Sequence, residues 1–270
     1  MTERRETALI LGASKGLGLG IADACRARGW RTIEVARFSG APTPAVQRGA
    51  ELGLKLVRSP QVTSDDRATI ECDLATNPDG LLAALHNPVV HGWHITHFFW
   101  VAGIWWEGPF EIMEPELVAR MVDVNLRSAL VVAQFAWEQL IVQSDVPHTF
   151  TTIASTTGLA PKARQVIYAA TKWAQIGFTR SLALEAEELR RVGRVRGRLP
   201  GEHYIPDVRV RLFSPGGMRT HLFDAAPPAT YETFMDPTKV GAYIVGRTTA
   251  AEPWIEETIA RESDLGRSLR

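Results

Sequence analysis

Short apolar runs alternate along this chain with longer segments in which apolar residues recur every three to four positions. The short runs predict strands at 7–11, 31–37, 68–74, 96–103, 148–155, 208–217 and 254–261. The longer segments predict helices at 16–28, 79–86, 114–143 and 165–190. Residues 39–66 follow neither pattern and are rich in Pro, Ser and Gly, so we predict no element there.

The alternation of strands with helices predicts an α/β fold. We expect a single-domain Rossmann fold, with a doubly wound parallel sheet of about seven strands flanked by helices. The chain has 270 residues and shows no internal repeat and no linker, so we expect residues 1–270 to form one domain. Ligands of such sheets bind at the carboxyl ends of the strands.

The charge balance and the cysteine content bear on which partners and metals the protein is expected to bind. Thirty basic and thirty acidic side chains cancel, which gives no support to nucleic-acid or membrane-surface partners. The two cysteines, Cys25 and Cys72, and the histidines show no metal-ligand spacing, so we predict no metal site and two reduced thiols. No apolar run reaches the length of a membrane span, and the charged start is not typical of a signal peptide. We therefore expect a cytoplasmic protein.

A glycine-rich turn joins the first predicted strand to the first helix. Glycines at 12, 16 and 18 follow the pattern G-x-x-x-G-x-G. Such a turn lets the backbone approach a pyrophosphate, which the helix N-terminus favours electrostatically. An ordinary strand-to-helix turn is the alternative, but the strand–turn–helix context favours dinucleotide binding.

Two positively charged side chains indicate which dinucleotide the turn would bind. Lys15 lies within the glycine turn, and Arg37 ends the second strand, where NAD-binding proteins hold the ribose with an acid. Glu34 lies nearby but within the strand. Positive charge at these two places favours a 2′-phosphate, so we predict NADP(H) as the preferred cofactor and NAD(H) as the second choice.

Ser155, Tyr168 and Lys172 are the candidate catalytic residues. Tyrosine and lysine at i and i+4 share one helix face, so the ammonium can lie beside the phenol and favour its ionised form. That pairing would make a proton donor or acceptor usable near neutral pH. A Y-x-x-x-K pair alone is weak evidence, but the spaced serine and the glycine turn strengthen it.

With these motifs in order, the chain resembles the short-chain dehydrogenase/reductase family. The resemblance rests on GASKGLG at 12–18, Asp73-Leu74, Ala102-Gly103, Asn125, Ser155, Tyr168, Lys172 and PGGMRT at 215–220. It implies a catalytic tetrad of Asn125, Ser155, Tyr168 and Lys172. It also implies cofactor contacts from Gly12, Ser14, Lys15, Gly16, Leu17, Gly18, Arg37, Asp73, Leu74, Ala102, Gly103, Asn125, Tyr168, Lys172, Pro215, Gly216, Met218 and Thr220.

The resemblance also implies roles for the tetrad. Tyr168 would be the acid/base, and Ser155 would orient the substrate oxygen. Lys172 would hold the nicotinamide ribose and lower the tyrosine pKa. Asn125 would anchor a water that links Lys172 to solvent, and we expect it to interrupt its helix locally, because a buried amide needs partners. At the ends of the cofactor, Asp73 would receive the adenine amine and Thr220 would hold the carboxamide.

Three stretches depart from the family pattern or stand outside it. Val101 replaces a polar residue after the fourth strand, and WIEETIAR replaces the usual glycine-rich ending. A basic loop at about 190–207 is longer than the family norm; a solvated helix end and loop is the favoured reading over an acidic partner. A substrate lid is expected at about 219–238.

Several aromatic residues could line an apolar pocket or belong to the core. They are Trp105, Trp106, Phe110, Tyr231 and Phe234.

These observations predict an NADP(H)-dependent oxidoreductase that interconverts a carbonyl and an alcohol, with a small apolar or aromatic substrate. A non-catalytic NADP-binding regulatory protein on the same fold is the alternative. We also expect a homodimer or homotetramer, because the two long helices carry more apolar surface than one sheet can cover. The apolar residues considered for that contact are Val131, Val132, Phe135, Trp137, Phe178 and Leu182.

Overall fold

The computed structural model describes residues 5–37, 60–75, 78–87, 92–141, 147–196, 207–223 and 227–270, the last four residues of 147–196 by backbone alone. The strands are β1 (Thr7–Leu11), β2 (Arg31–Ala36), β3 (Gln61–Ser64), β4 (Arg67–Glu71), β5 (His97–Trp100), β6 (His148–Ile153), β7 (Val208–Pro215) and β8 (Trp254–Ile259). The helices are α1 (Gly16–Ala27), α2 (Pro78–Leu85), α3 (Pro115–Val122), α4 (Ser128–Leu140), α5 (Val166–Arg196), α6 (Pro237–Thr248) and α7 (Asp264–Ser268).

The strands form one sheet in the order β3-β4-β2-β1-β5-β6-β7-β8. All neighbours are parallel except β3, which pairs antiparallel with β4. Strands β1, β5 and β6 are buried along their whole length, as expected for a sheet covered on both faces. The predicted doubly wound sheet is therefore confirmed, with its seven parallel strands.

Two apolar cores lie on opposite faces of the sheet. On one face, side chains of α2, α4 and α5 pack against the strands, including Leu81, Val132 and Leu182. On the other face, α1 and α6 supply Ile21 and Ile244. This arrangement leaves the carboxyl ends of the parallel strands open at one edge, where ligands of such folds bind.

The edge strand β3 was missed by the sequence analysis, which predicted no element over 39–66. All four of its side chains are exposed, so no apolar residue alternates into the core. Only the hydrogen bonds to β4 define this strand, and these leave no pattern in the sequence. The rest of that stretch, 39–59, lies outside the described residues.

Helix α5 extends further than predicted, to Arg196 rather than 190. The first part of the predicted basic loop is therefore helical, and 197–206 lie outside the described residues. Among the described helices, none is both long and apolar enough to cross a membrane.

The apolar residues considered for a subunit contact mostly face the core instead. Val132, Phe135 and Leu182 are buried, and Val131, Trp137 and Phe178 are partly buried. Trp137 and Phe178 pack against the core cluster on that face of the sheet. The prediction that these side chains form an outer face was wrong for all but Val131, because both helices turn the other five toward the strands.

Candidate active site

A large cavity of about 1320 Å³ opens at the carboxyl ends of the parallel strands. The turns after β1, β2, β4, β5, β6 and β7 all contribute to its wall. Every residue predicted for the site lines this cavity except Asn125, which lies behind it. The sheet topology thus brings together residues spread from Gly12 to Thr220.

The glycine turn after β1 forms the floor of one half of the cavity. Gly12 has φ of +102°, and a Cβ there would lie 2.7 Å from the backbone of Ala102. A Cβ on Gly18 would lie 1.9 Å from the Gly12 carbonyl oxygen. Lys15 precedes α1 without a side-chain cap on the helix. The backbone N–H groups of the first turn are therefore left to a ligand, which fits a pyrophosphate.

Charged side chains mark one end of this half. The Arg37 side chain is 61% exposed, and its guanidinium lies 3.7 Å from Asp73 Oδ2. Arg120, from α3, donates to the same oxygen at 3.1 Å. The sequence analysis missed Arg120, because no motif links residue 120 to residue 73.

Glu34 does not reach the cavity, although it lies in the strand that ends at Ala36. Its carboxylate is buried and accepts hydrogen bonds from Arg67 Nε and Nη2, at 3.1 and 2.8 Å. Arg26 also pairs with it. Glu34 is therefore committed to the interior of the sheet and is not available to a ribose hydroxyl.

Ser155 and Tyr168 face the other half of the cavity. Ser155 lies two residues after the buried end of β6, and its Oγ accepts from the Thr157 N–H at 3.2 Å. Tyr168 lies on the first turns of α5 and is 8% exposed. Burial raises the pKa of Tyr168 to about 12, and a hydrogen bond with Ser155 opposes that rise. At neutral pH the phenol is therefore protonated.

Lys172 lies one turn after Tyr168 on α5, and its ammonium is buried. Nζ donates to the Ile153 carbonyl at 3.0 Å and to Gln175 Oε1 at 2.9 Å. Nζ is 5.7 Å from the centre of the Tyr168 ring. Burial lowers the pKa of Lys172 to about 7. The expected acidification of the phenol is therefore not seen, because burial disfavours its charged form.

Asn125 lies in a π-helical segment, Asp123–Arg127, between α3 and α4. Its side chain is buried, donates to the Ile104 carbonyl at 2.9 Å and to Thr171 Oγ1 at 3.1 Å, and accepts from the Ile104 N–H at 2.7 Å. The predicted local interruption of the helix is confirmed. Asn125 ties the turn after β5 to the helix that carries Tyr168.

Gln175 is a residue that the sequence analysis missed. Its Nε2 donates to the main-chain carbonyl of Asn125 at 2.7 Å, while its Oε1 accepts from Lys172. A side-chain amide therefore links Lys172 to Asn125, two groups that we expected a water to join. No sequence pattern predicts this link, because a lone glutamine on a helix has no characteristic spacing to a partner 50 residues away.

One wall of the substrate half of the cavity is aromatic. Trp105 packs edge-on against Phe223, with ring centres 4.9 Å apart, and Phe223 packs on Phe234 at 5.4 Å. These three line the cavity. Of the other predicted aromatic residues, Trp106 packs over Gly108, and Phe110 is 53% exposed. Tyr231 supports Phe234 from behind, at 5.6 Å between ring centres.

The predicted lid at 219–238 is anchored at its base by backbone hydrogen bonds. The Arg219 N–H donates to the Met235 carbonyl, and the Met235 N–H donates to the Gly217 carbonyl. Residues 224–226 lie outside the described residues. Phe223, Pro228 and Phe234, from the described parts of this segment, line the same cavity as Ser155 and Tyr168.

Another part of the cavity wall carries a series of hydrogen-bonded polar groups, Glu107, Gln165 and Thr157. Glu107 Oε2 accepts from Gln165 Nε2 at 2.6 Å. Thr157 Oγ1 donates to Gln165 Oε1 at 3.2 Å, and Thr157 leads on to Ser155. The substrate half thus has an aromatic wall and a polar wall that ends in a carboxylate. Within the described part of the chain, no cluster of His, Cys, Asp and Glu could hold a metal ion.

Comparison with known proteins places this geometry in a family. The family model for short chain dehydrogenases matches residues 6–229. A tetrahydroxynaphthalene reductase of Pestalotiopsis fici is 28% identical over 222 residues, 81% of this chain and 68% of that protein. A versicolorin reductase of Emericella nidulans is 24% identical over 218 residues, 81% of this chain and 71% of that protein.

The fold agrees with solved structures. A 3-oxoacyl-[acyl-carrier protein] reductase from Brucella melitensis, in complex with NAD, superposes with a TM-score of 0.69 at 21% identity, over 98% of each chain. Thermoplasma acidophilum aldohexose dehydrogenase gives a TM-score of 0.68 at 21% identity, over 99% of this chain and 95% of that one. Three observations therefore indicate the same family: the family model matches most of the chain, the sheet is mainly parallel, and Ser155, Tyr168 and Lys172 line one cavity. The protein belongs to the short-chain dehydrogenase/reductase family and is a carbonyl–alcohol oxidoreductase.

Proposed function

We propose that this protein is an NADP(H)-dependent carbonyl reductase in which Tyr168 donates the proton. The observation that carries the proposal is the placement of Ser155, Tyr168 and Lys172 in one cavity with the glycine turn of α1. A nicotinamide cofactor, when bound, supplies the hydride. The residues of the chain bind, orient and protonate.

Each member of the catalytic set has one task in this proposal. Ser155 holds the carbonyl oxygen of the substrate beside the Tyr168 hydroxyl. Tyr168 gives its proton to that oxygen as the carbonyl becomes an alcohol. Because its pKa is raised to about 12, the acid form that proton donation requires dominates at neutral pH. Lys172 would hold the nicotinamide ribose, and Asn125 keeps the surrounding backbone in place.

The charges at the adenosine end support NADP(H) over NAD(H). Lys15 and Arg37 line the cavity, and both are exposed. Glu34 is the one acid of β2, and it is turned into the sheet toward Arg26 and Arg67. A 2′-phosphate would therefore meet cations here and no competing carboxylate from that strand.

The two walls of the substrate half support a flat aromatic ketone that carries ring hydroxyls. The aromatic rings of Trp105, Phe223 and Phe234 offer faces and edges to a planar ligand. The Glu107–Gln165 pair offers a carboxylate that accepts hydrogen bonds. The relatives named above are a tetrahydroxynaphthalene reductase and a versicolorin reductase, which agrees with this class.

A set of matched bicyclic ketones tests the substrate class. We expect the enzyme to oxidise NADPH with 2-tetralone, and to prefer ring-hydroxylated tetralones over ring-carboxylated ones. Glu107→Gln removes the negative charge but keeps the size, so the preference should fall by about tenfold, the value of a charge-assisted hydrogen bond. Glu111→Gln changes a nearby exposed carboxylate that does not line the cavity, and should leave the preference unchanged. An equal preference in all three proteins would contradict this substrate class.

A further inference from the structure

We propose that Gln175 is a positioning residue of the active site, which fixes the direction of Lys172 by bridging it to the π segment Asp123–Arg127. The bridge consists of two hydrogen bonds, Lys172 Nζ to Gln175 Oε1 at 2.9 Å and Gln175 Nε2 to the Asn125 carbonyl at 2.7 Å. Gln175 is fully buried, so solvent does not compete for either bond.

The chemistry of the bridge requires an amide. The ammonium of Lys172 can only donate, and the main-chain carbonyl of Asn125 can only accept. A residue between them needs an acceptor at one end and a donor at the other, and the carboxamide of glutamine has both. A glutamate would have no hydrogen for the Asn125 carbonyl, and a methionine would have no strong acceptor for Lys172.

The bridge leaves Lys172 with one free direction. Two of its three N–H groups are taken by the Ile153 carbonyl and by Gln175. The third is left to point into the cavity that Lys172 lines, on the side of Tyr168. Gln175 therefore orients the lysine toward the place where the ribose of a bound cofactor would lie.

Opposite substitutions at Gln175 test the inference in the cofactor-free protein. Gln175→Met keeps the size and removes the acceptor, so the pKa of Lys172 should fall below that of the wild type, which lies at about 7. Gln175→Glu places a carboxylate beside the ammonium, so that pKa should rise. NMR of the lysine Cε resonances across pH, assigned with Lys172→Arg, measures both shifts without turnover.

The control is Thr179→Val, which removes a buried hydroxyl one turn further along α5. That hydroxyl bonds Thr152 Oγ1 and the main-chain carbonyl of Gln175, and neither bond involves Lys172 or the Gln175 side chain. It should lower the melting temperature and leave the Lys172 titration unchanged. If both Gln175 variants titrate as the wild type does, or if both move in the same direction, Gln175 only fills space and the inference falls. Melting curves of all variants show whether each is folded.

The second measurement uses turnover, and this part rests on the proposed function. The alkaline limb of carbonyl reduction that depends on the Lys172 ammonium should move to lower pH in Gln175→Met and to higher pH in Gln175→Glu. If the NMR titration of Lys172 shifts but the alkaline limb of carbonyl reduction does not move, the claim that this orientation matters for catalysis is overturned. Should the wild type reduce no carbonyl compound, the proposed function fails, and the NMR titrations still decide whether Gln175 sets the state of Lys172.

Discussion

At the scale of single residues, burial acts in opposite directions on the two groups that handle protons. It raises the pKa of Tyr168, which is neutral when protonated, and lowers the pKa of Lys172, which is charged when protonated. Both shifts favour the uncharged forms. At neutral pH the site therefore holds a protonated phenol beside a lysine that is near its midpoint, and a negative ligand in the cavity would favour the ammonium.

The preference for NADPH over NADH belongs to this scale. We expect Arg37→Gln to weaken NADPH binding by about tenfold and NADH binding much less, because its charge would meet the 2′-phosphate and its contact with Asp73, at 3.7 Å, is longer than that of Arg120. Arg120→Gln should weaken both cofactors alike, since Arg120 holds Asp73 rather than a phosphate. Isothermal titration at low and high salt measures each affinity. Equal wild-type affinities for the two cofactors would show that Lys15 and Arg37 do not meet the phosphate.

Residues with a fixed spacing could be predicted from the sequence, and residues that act through a distant partner could not. Tyr168 and Lys172 share one helix face whatever the rest of the chain does, and the glycine turn has a local pattern. Gln175, Arg120 and Glu107 matter only because the fold brings them to Asn125, Asp73 and Gln165. In the sequence, these three residues look like ordinary polar residues of helices and loops.

At the scale of elements, the π segment Asp123–Arg127 connects three parts of the site. Asn125 bonds the turn after β5 through Ile104, and α5 through Thr171. The sequence predicted the interruption, because a buried amide in the apolar stretch MVDVNL needs partners. It did not predict the edge strand β3, whose side chains are all exposed. A strand leaves an apolar pattern in the sequence when some of its side chains are buried, and an exposed strand has no such pattern.

Asn125→Leu tests the role of the π segment. The substitution leaves the Ile104 N–H and carbonyl without their partner, so we expect a stability loss of about 2–4 kcal/mol with the fold retained. Turnover should fall further than cofactor affinity, because the support of Lys172 through Gln175 is disturbed. Thr171→Val removes only one of the contacts of Asn125 and should give a smaller loss in both quantities. Melting curves and kcat across pH measure both, and a wild-type kcat in Asn125→Leu would leave Asn125 with no part in catalysis.

At the scale of the whole molecule, an apolar stripe on α5 remains uncovered. Val166, Trp173 and Leu184 are 46%, 53% and 69% exposed, and their spacing of seven and eleven residues places them on one helix face. Gly177, on the same face, is exposed, and a Cβ added there would meet no other part of the described chain within 4 Å. These residues differ from those that the sequence suggested, because only the structure shows which side of the helix the sheet covers.

We propose that this stripe pairs with the same stripe of a second copy, giving the homodimer or homotetramer that the sequence predicted. Light scattering should give a dimer or tetramer for the wild type at micromolar concentration. Trp173→Glu should shift it toward the monomer, since the interface would then bury a charge. Val62→Glu alters an exposed apolar residue on the distant edge strand and should keep the wild-type mass. A monomeric wild type would contradict the proposal.

The most direct test of the proposed reaction is the substitution Tyr168→Phe. The ring and its packing remain, and only the acidic hydroxyl is lost, so we expect NADPH to bind as it does to the wild type. NADPH consumption with an accepted ketone should fall by about a thousandfold, in the range found for loss of a general acid. A stopped-flow or steady-state assay of both proteins, with NADPH binding measured by titration, gives the answer. A kcat near that of the wild type in the phenylalanine variant would contradict the assignment of Tyr168 as the proton donor.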